Sequence, residues 1–223
     1  MKKAPEHLRF AVMAVDAVLF AIIDGELCAL VSPVNRPPHY INTVGFLGGI
    51  IHADETAEDA CFRILREKGS VTAVHVEQLY TFSAVERDKR NRVVSVAYLA
   101  FMRPDAAAAY VHPTATFVQV KKLKRLAYDH DAMLSVALKR LQGKLSYTTI
   151  AASLLPRHFT LTELQSLYEH VLQKTFDKRN FRKKILALGI IRETGRMQEG
   201  VKNRPAALYE FVSKTQQEIS LFS

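Results

Sequence analysis

The sequence predicts an α+β protein in two parts: a mixed β-sheet with at least one helix packed on it, then a helical unit that closes in a β-hairpin. Three observations carry this. Two β-rich apolar runs, 10–23 and 26–31, flank Asp24-Gly25, a strong hairpin signal. Residues 55–68 have helical apolar spacing behind a stretch bearing three glycines. From about Asp129 the pattern turns to one helix after another, and strand signals return only near the end.

The first run follows Lys2 and Lys3, as the apolar core of a signal peptide would. Asp16 interrupts it, Gly25 closes it as a turn, no small-residue cleavage pattern follows, and it is too short for a membrane span. A buried strand without a targeting segment is expected. Pro37-Pro38 breaks the chain, and Gly45-Phe46-Leu47-Gly48-Gly49 follows. In 55–68, Ala57, Ala60, Cys61, Ile64 and Leu65 share one side, with Asp54 as expected cap and Gly69 as terminator. Two more strands, 76–82 and 93–102, are joined by a charged loop over 86–92.

In the second part, 132–141 is amphipathic, and 147–155 is expected to be a short helix stopped by Pro156. Thr160 and Glu163 form a capping box ahead of the stripe Leu161, Leu164, Leu167, Tyr168, Val171 and Leu172. Asp177 caps a helix over 178–188 that Gly189 closes. Strands at 190–191 and 208–211 flank a polar loop. Helix, helix, helix, hairpin is the order of a winged helix-turn-helix. We place the boundary after Ser146, giving units 1–146 and 147–223.

Charge agrees with two roles. The chain carries 31 Lys+Arg against 22 Asp+Glu, a net +9, which favours polyanionic partners. Residues 147–223 hold 12 Lys+Arg against 7 Asp+Glu and the first 146 hold 19 against 15, so the second unit has about twice the charge per residue. Cys28 and Cys61 are too few for a disulfide framework and are expected to be reduced, buried thiols in a cytoplasmic protein.

Gly49, Glu55 and Arg63 have the spacing that opens a Nudix box, G-x5-E-x7-R-E-U-x-E-E-x-G-U, with U a bulky aliphatic. Such a box runs a glycine-rich loop into a helix whose carboxylates hold divalent cations against a pyrophosphate. Here Ile64 and Lys68 stand where two of the carboxylates belong, and Ser70 stands for the last glycine, while Leu65 and Val71 fit. Glu67 remains, with Glu55 at the edge, among Arg63, Arg66 and Lys68. That is a poor Mg²⁺ site and an expected anion site, so no metal and no catalytic residue is assigned. His39, His52, Asp54 and His130 lack a ligand spacing and are expected at the surface, with Asp54 as a cap.

The helix at 178–188 divides its faces. Phe181, Ile185 and Leu188 share the apolar side, while Lys178 with Arg182 and Arg179 with Lys183 are i,i+4 neighbours on the other. An apolar anchor under a basic, amide-bearing face is what a DNA-reading helix requires. Asn180 suits an adenine edge, and Arg179 or Arg182 a guanine. Arg192, Arg196, Lys202, Asn203 and Arg204 lie in the hairpin that follows, where a wing touches the sugar-phosphate backbone. Expected DNA contacts are therefore Lys178, Arg179, Asn180, Arg182, Lys183, Arg196, Lys202, Asn203 and Arg204.

Together these features resemble the Nudix-related transcriptional regulators, repressors of NAD-metabolism genes and their relatives. The resemblance rests on 15–20, 77–82, Arg87-Asp88 with 92–98, Leu154-Leu155-Pro156, 159–165, 167–169, 177–186, Arg204-Pro205-Ala206 and Leu208-Tyr209. It implies a Nudix mixed α/β/α sandwich followed by a winged helix, working as a homodimer on double-stranded DNA at palindromic operators. It also implies an effector, ADP-ribose or a related nucleotide, bound in the former catalytic cleft without a required cofactor. Gly48, Gly49, Arg63, Glu67, Tyr80, Phe82 and Arg87 are the expected effector residues, with Tyr80 or Phe82 either stacking on a base or, equally, serving as strand-core residues. Two stretches depart from the family pattern: Val44-Gly45-Phe46-Leu47, where Trp-x-Leu-Pro is usual, and Gly69-Ser70, where Thr-Gly is usual. The rival reading is a working Nudix pyrophosphohydrolase with an accessory helical domain. A third is a module whose winged helix binds a protein.

Overall fold

A computed structural model describes residues 10–72, 74–200, 205–213 and 215–219. β1 (Val12–Ile23) and β2 (Glu26–Arg36) meet at Asp24 and Gly25, both left-handed, with φ of 51° and 76°, as a two-residue hairpin turn requires. The chain continues through β3 (Tyr40–Gly45), β4 (Leu47–Ile50), α1 (Ala57–Gly69), β5 (His75–Phe82) and β6 (Val93–Phe101). A short helix α2 (Pro104–Ala108), strand β7 (Thr116–Gln119) and the long helix α3 (His130–Tyr147) follow. The sheet runs β3-β2-β1-β6-β5, with β4 paired to β1 and β7 to β2. β1 is central, so its side chains are covered on both faces: Val15, Ala17, Val18, Leu19, Phe20 and Ala21 are all buried.

Several local expectations are corrected. α1 is capped by Thr56, which forms a capping box with Asp59, and not by Asp54; Asp54 also has capping chemistry, but it lies two residues too early. Gly69 is the last helical residue, and Ser70 takes the left-handed position after it. β3, β4, β7 and α2 were not expected. The second helix expected at 147–155 is absent: α3 runs on to Tyr147, Thr148 and Thr149 end it, and only a 3₁₀ turn follows at Ile150–Ser153.

The C-terminal elements are α4 (Leu161–Leu172), α5 (Lys178–Ala187), β8 (Ile191–Met197) and β9 (Ala207–Phe211), with β8 and β9 antiparallel. Thr160 caps α4 by accepting from the Glu163 N–H at 3.1 Å, and the Glu163 carboxylate accepts from the Thr160 N–H in return. Asp177 caps α5 by accepting from the Asn180 N–H at 2.8 Å. Leu161, Leu164, Leu167, Tyr168 and Val171 are buried, as are Phe181 and Ile185, while Leu188 is half-buried. Phe159 pairs with Tyr209, adding a bridge beside the hairpin.

By internal contacts, the described residues up to 19 form one compact unit with 29–100 and 111–137. Residues 20–28 and 101–110 group with the described residues from 138 onward. Residue 146, where the sequence placed its boundary, lies in the last turn of α3. Cys28 and Cys61 are free and buried, and burial pushes the Cys61 thiol up to about 12. Among the described residues, no helix is long and apolar enough to cross a membrane.

A buried polar network lies at the centre of the first unit. Asp16, in the middle of β1, is only 7% exposed. Its Oδ2 accepts from Arg87 Nη2 at 3.1 Å and from Ser95 Oγ at 2.6 Å, and its Oδ1 lies 3.3 Å from His130 Nε2. Arg87 also donates to both oxygens of Asp129, at 2.9 and 3.0 Å. His130 Nδ1 accepts the Phe46 backbone N–H at 2.9 Å, which puts the ring proton on Nε2, facing Asp16. His130 is therefore not at the surface, as expected, but 1% exposed and stacked on Phe46. Arg87 and Asp88, expected within a charged loop, are buried as well.

Burial alone would raise the Asp16 carboxyl. His130, Ser95 and Arg87 outweigh it and hold Asp16 below the usual carboxylate range. The native state thus favours the ionised form. The resulting stabilisation is present above the unfolded value of about 3.9 and is lost as pH falls through the lower native value. Thermal melts should therefore fall below about pH 4, and the fall should be shallower in Asp16→Asn. Arg87→Leu, which strands two carboxylates, should cost about 3–5 kcal/mol in denaturant titration at neutral pH. In the second unit, Thr160→Ala should cost about 1 kcal/mol by the same measurement.

Candidate functional site

The first site is a glycine ledge on β4 against α1. In the β1–β4 pairing Asp16 stands opposite Gly48 and Val15 opposite Gly49, so the network carboxylate lies under the ledge. A Cβ on Gly48 would fall 1.9 Å from Asp16 Oδ1, and one on Gly49 would fall 2.3 Å from Ile64 Cδ1. Both positions exclude any side chain, so β4 can pack its half-buried backbone closely over Asp16 and Ile64.

Arg63 locks the loop before α1. Its guanidinium forks onto Glu55, with Nε 2.8 Å from Oε2, donates to the Ile50 carbonyl at 2.9 Å, and reaches Glu67 Oε2 at 3.5 Å. Glu55 also accepts the His52 N–H at 2.8 Å. Hydrogen bonds from Arg63 hold the Glu55 carboxyl down to about 2. Arg63 and Glu55 are thus engaged with each other and with the loop backbone.

Lys68 is the residue whose importance the sequence understated. Its Nζ donates to the Gly48 carbonyl at 2.6 Å, on the ledge. Partial burial and then Arg36 lower its pKa, while Asp16 and Glu67 act in the opposite direction. Its place in the box was the available signal, since a cation one turn from Ile64 must share that helix face.

Divalent cations are implied by the Nudix box, and the residues present do not fit one. Ile64 supplies no oxygen, Lys68 brings positive charge, and Glu55 and Glu67 are both engaged by Arg63. Among the described residues no cluster of three or more His, Cys, Asp or Glu forms a candidate metal site.

The structure brings Gly48, Gly49, Arg63 and Glu67 together around the ledge. Arg87 reaches it only through Asp16, with its donors turned inward. Tyr80 and Phe82 pack edge to face on β5, with centroids 5.2 Å apart. Tyr80 is 58% exposed and free to stack, whereas Phe82 is 8% exposed and belongs to the core.

The second site is α5 with its hairpin. Phe181 anchors the helix against Tyr168 and Phe176, with centroids 5.6 Å from each. Lys178, Arg179, Asn180 and Lys183 are exposed on the helix. Arg182 differs: it is half-buried, and Nη2 donates to Thr162 Oγ1 on α4 at 3.2 Å. Arg196 is exposed on β8, while Lys202, Asn203 and Arg204 lie outside the described residues. Beside the hairpin a polar concavity of about 510 Å³ is lined by Arg157, His158, Arg192, Glu193, Thr194, Arg196 and Glu210. Arg192 forks onto Glu210 there at 2.8 and 2.9 Å, which holds the Glu210 carboxyl below its ordinary value.

Comparison with known proteins covers both parts of the chain. Residues 151–211 match the NrtR DNA-binding winged helix domain. The chain is 32% identical over 207 residues to the ADPR responsive transcriptional repressor NtrR of Acinetobacter baylyi, covering 89% of this chain and 81% of that protein. It is similar to Shewanella oneidensis NrtR crystallised with a 27mer DNA, with a TM-score of 0.78 and 31% identity over 89% of this chain and 93% of that one. The Nudix domain of the same Shewanella protein, crystallised with ADP ribose, matches 63% of this chain and 94% of its own length at 29% identity, with a TM-score of 0.52. The relationship spans both units, and the chain belongs to the NrtR family of transcriptional regulators, in which a Nudix domain is joined to a winged helix.

Proposed function

We propose that this protein is an effector-controlled repressor that binds double-stranded DNA through α5 and the β8–β9 hairpin and senses ADP-ribose or a closely related nucleotide at the glycine ledge. The observation that carries this reading is the pairing, in one chain, of an exposed basic helix with a Nudix ledge in which Ile64 and Lys68 replace two metal-binding carboxylates. The relatives crystallised with DNA and with ADP ribose support it. Lys178, Arg179, Asn180 and Lys183 present donors outward, in the arrangement that reads base edges and phosphates in a major groove. Arg182 steadies the helix through Thr162, and Arg196, with Lys202, Asn203 and Arg204, supplies backbone contacts from the wing.

At the ledge, Gly48 and Gly49 admit the diphosphate, Tyr80 offers a face for the base, and Arg63 and Glu67 fix the loop. Phe82 and Arg87 shape the floor from within. Ile64 and Lys68, in place of metal-binding carboxylates, leave the ledge without the ligand set that hydrolysis needs. The protein works in the cytoplasm as a homodimer on a palindromic operator, and effector binding shifts the population between DNA-competent and DNA-free states.

Arg179→Ala should weaken operator binding by about 1–3 kcal/mol in a gel-shift titration and relax specificity at one base position. Lys183→Ala should weaken binding evenly across sequences and reduce the salt slope by about 1. Unchanged affinity in both variants would remove α5 from the interface. Incubation with Mg²⁺ and ADP-ribose should release no AMP above background; turnover abolished by Glu67→Gln would establish the hydrolase instead.

A further inference from the structure

The misfit between the ledge and a divalent cation has a positive side. A Nudix enzyme brings a diphosphate onto its ledge by placing a metal ion between the phosphate oxygens and the helix carboxylates. Here the Lys68 ammonium lies on that ledge, hydrogen-bonded to the Gly48 carbonyl and 3.6 Å from the position a Gly49 Cβ would take. An ammonium has three donors; one goes to Gly48, and no other hydrogen bond holds it among the described residues. Two donors remain for an anion beside the ledge backbone.

The charges around Lys68 are mixed. Its neighbouring cations are Arg36 and Arg63, the latter paired with Glu55, and its neighbouring anions are Glu67 and Asp16, whose partner Arg87 is shared with Asp129. Lys68 is the cation that reaches the ledge backbone, and burial, Arg36 and Arg63 lower its pKa against the opposing pull of Asp16 and Glu67. A fixed cation with oriented N–H donors can neutralise and orient a diphosphate as a metal does. It cannot polarise the phosphorus or activate a water in the manner of a metal.

We propose that Lys68 replaces the divalent cation, so that the ledge binds the diphosphate of its nucleotide effector without metal. This rests on the reading of the ledge as a nucleotide sensor, and the test separates the two. Calorimetric titrations of the full chain would use ADP-ribose and, separately, inorganic pyrophosphate, each in EDTA and in millimolar Mg²⁺. ADP-ribose should bind equally well in both buffers. Lys68→Gln should weaken both ligands in EDTA by about tenfold or more, the size of one charge-assisted hydrogen bond. Lys68→Arg should retain binding. Lys68→Glu should lose binding in EDTA and recover part of it in Mg²⁺. Lys68 is exposed at the end of α1, and melting curves would confirm that each variant folds.

If wild-type protein needs Mg²⁺ for ADP-ribose, or if Lys68→Gln binds as wild type does, Lys68 is not the replacement cation although the effector reading stands. If pyrophosphate binds in EDTA in a Lys68-dependent manner and ADP-ribose does not, the cation assignment stands and the ADP-ribose reading fails. If neither ligand binds in EDTA, the proposal is overturned.

Discussion

A single carboxylate organises the first unit. Asp16 sits in the strand that the sheet surrounds, where an ionised group is tolerated only when its charge and hydrogen-bonding capacity are met. Arg87 brings in the segment between β5 and β6, Ser95 comes from β6, and His130 comes from the start of α3. Through the other nitrogen of His130 the network also fixes the Phe46 backbone, two residues before the ledge. Four separate stretches of chain are thereby held to one point. The ledge sits directly above it because Gly48 stands opposite Asp16 in the β1–β4 pairing. The shape of the glycine ledge is therefore a consequence of how a buried charge is satisfied.

The ledge and its helix show that scaffold and chemistry in a Nudix box are separable. Gly49, Glu55 and Arg63 build a loop and hold it against the start of α1 by a bidentate ion pair and a bond to the Ile50 carbonyl. Nothing in that set requires a metal. The positions that give the box its chemistry are one helix face further on, and there the chain has an aliphatic side chain and an ammonium. In the second unit the two caps, Thr160 and Asp177, fix where α4 and α5 start, and Phe181 fixes which side of α5 is buried. The exposed basic face follows from that anchoring.

What could be read from the sequence was local in origin. The hairpin at Asp24-Gly25, the capping box at Thr160, the cap at Asp177 and the division of α5 into faces depend on residues a few positions apart, and they appear as expected except that Arg182 turns to Thr162. Where two neighbours share the same chemistry, as Asp54 and Thr56 do, sequence cannot choose between them, and the helix start was misplaced. The short strands β3 and β4 were hidden by glycines and prolines, which usually mark loops. The polar network was out of reach for a different reason: Arg87, Ser95 and His130 lie 71, 79 and 114 positions from Asp16. The one available hint was Asp16 itself, an acid inside an apolar run, which signals a buried partner without saying which. Of the candidate site residues, the glycines and the exposed basic residues were legible as surface. The inward roles of Arg87 and Phe82, and the reach of Lys68 to Gly48, needed the fold.

Ile64 sets how many exchanges separate the ledge from a metal site. Its terminal methyl lies against Gly49, beneath the same α-carbon that Lys68 approaches from the side. Exchanging Ile64 alone for Glu would bury a carboxylate beside that ammonium and yield an ion pair in place of a metal ligand. Exchanging Lys68 alone would discard the cation and still leave an aliphatic side chain where an oxygen is needed. Restoring both carboxylates of the box therefore takes two changes, and the exchange of Lys68 alone already gives up the ammonium that reaches the ledge.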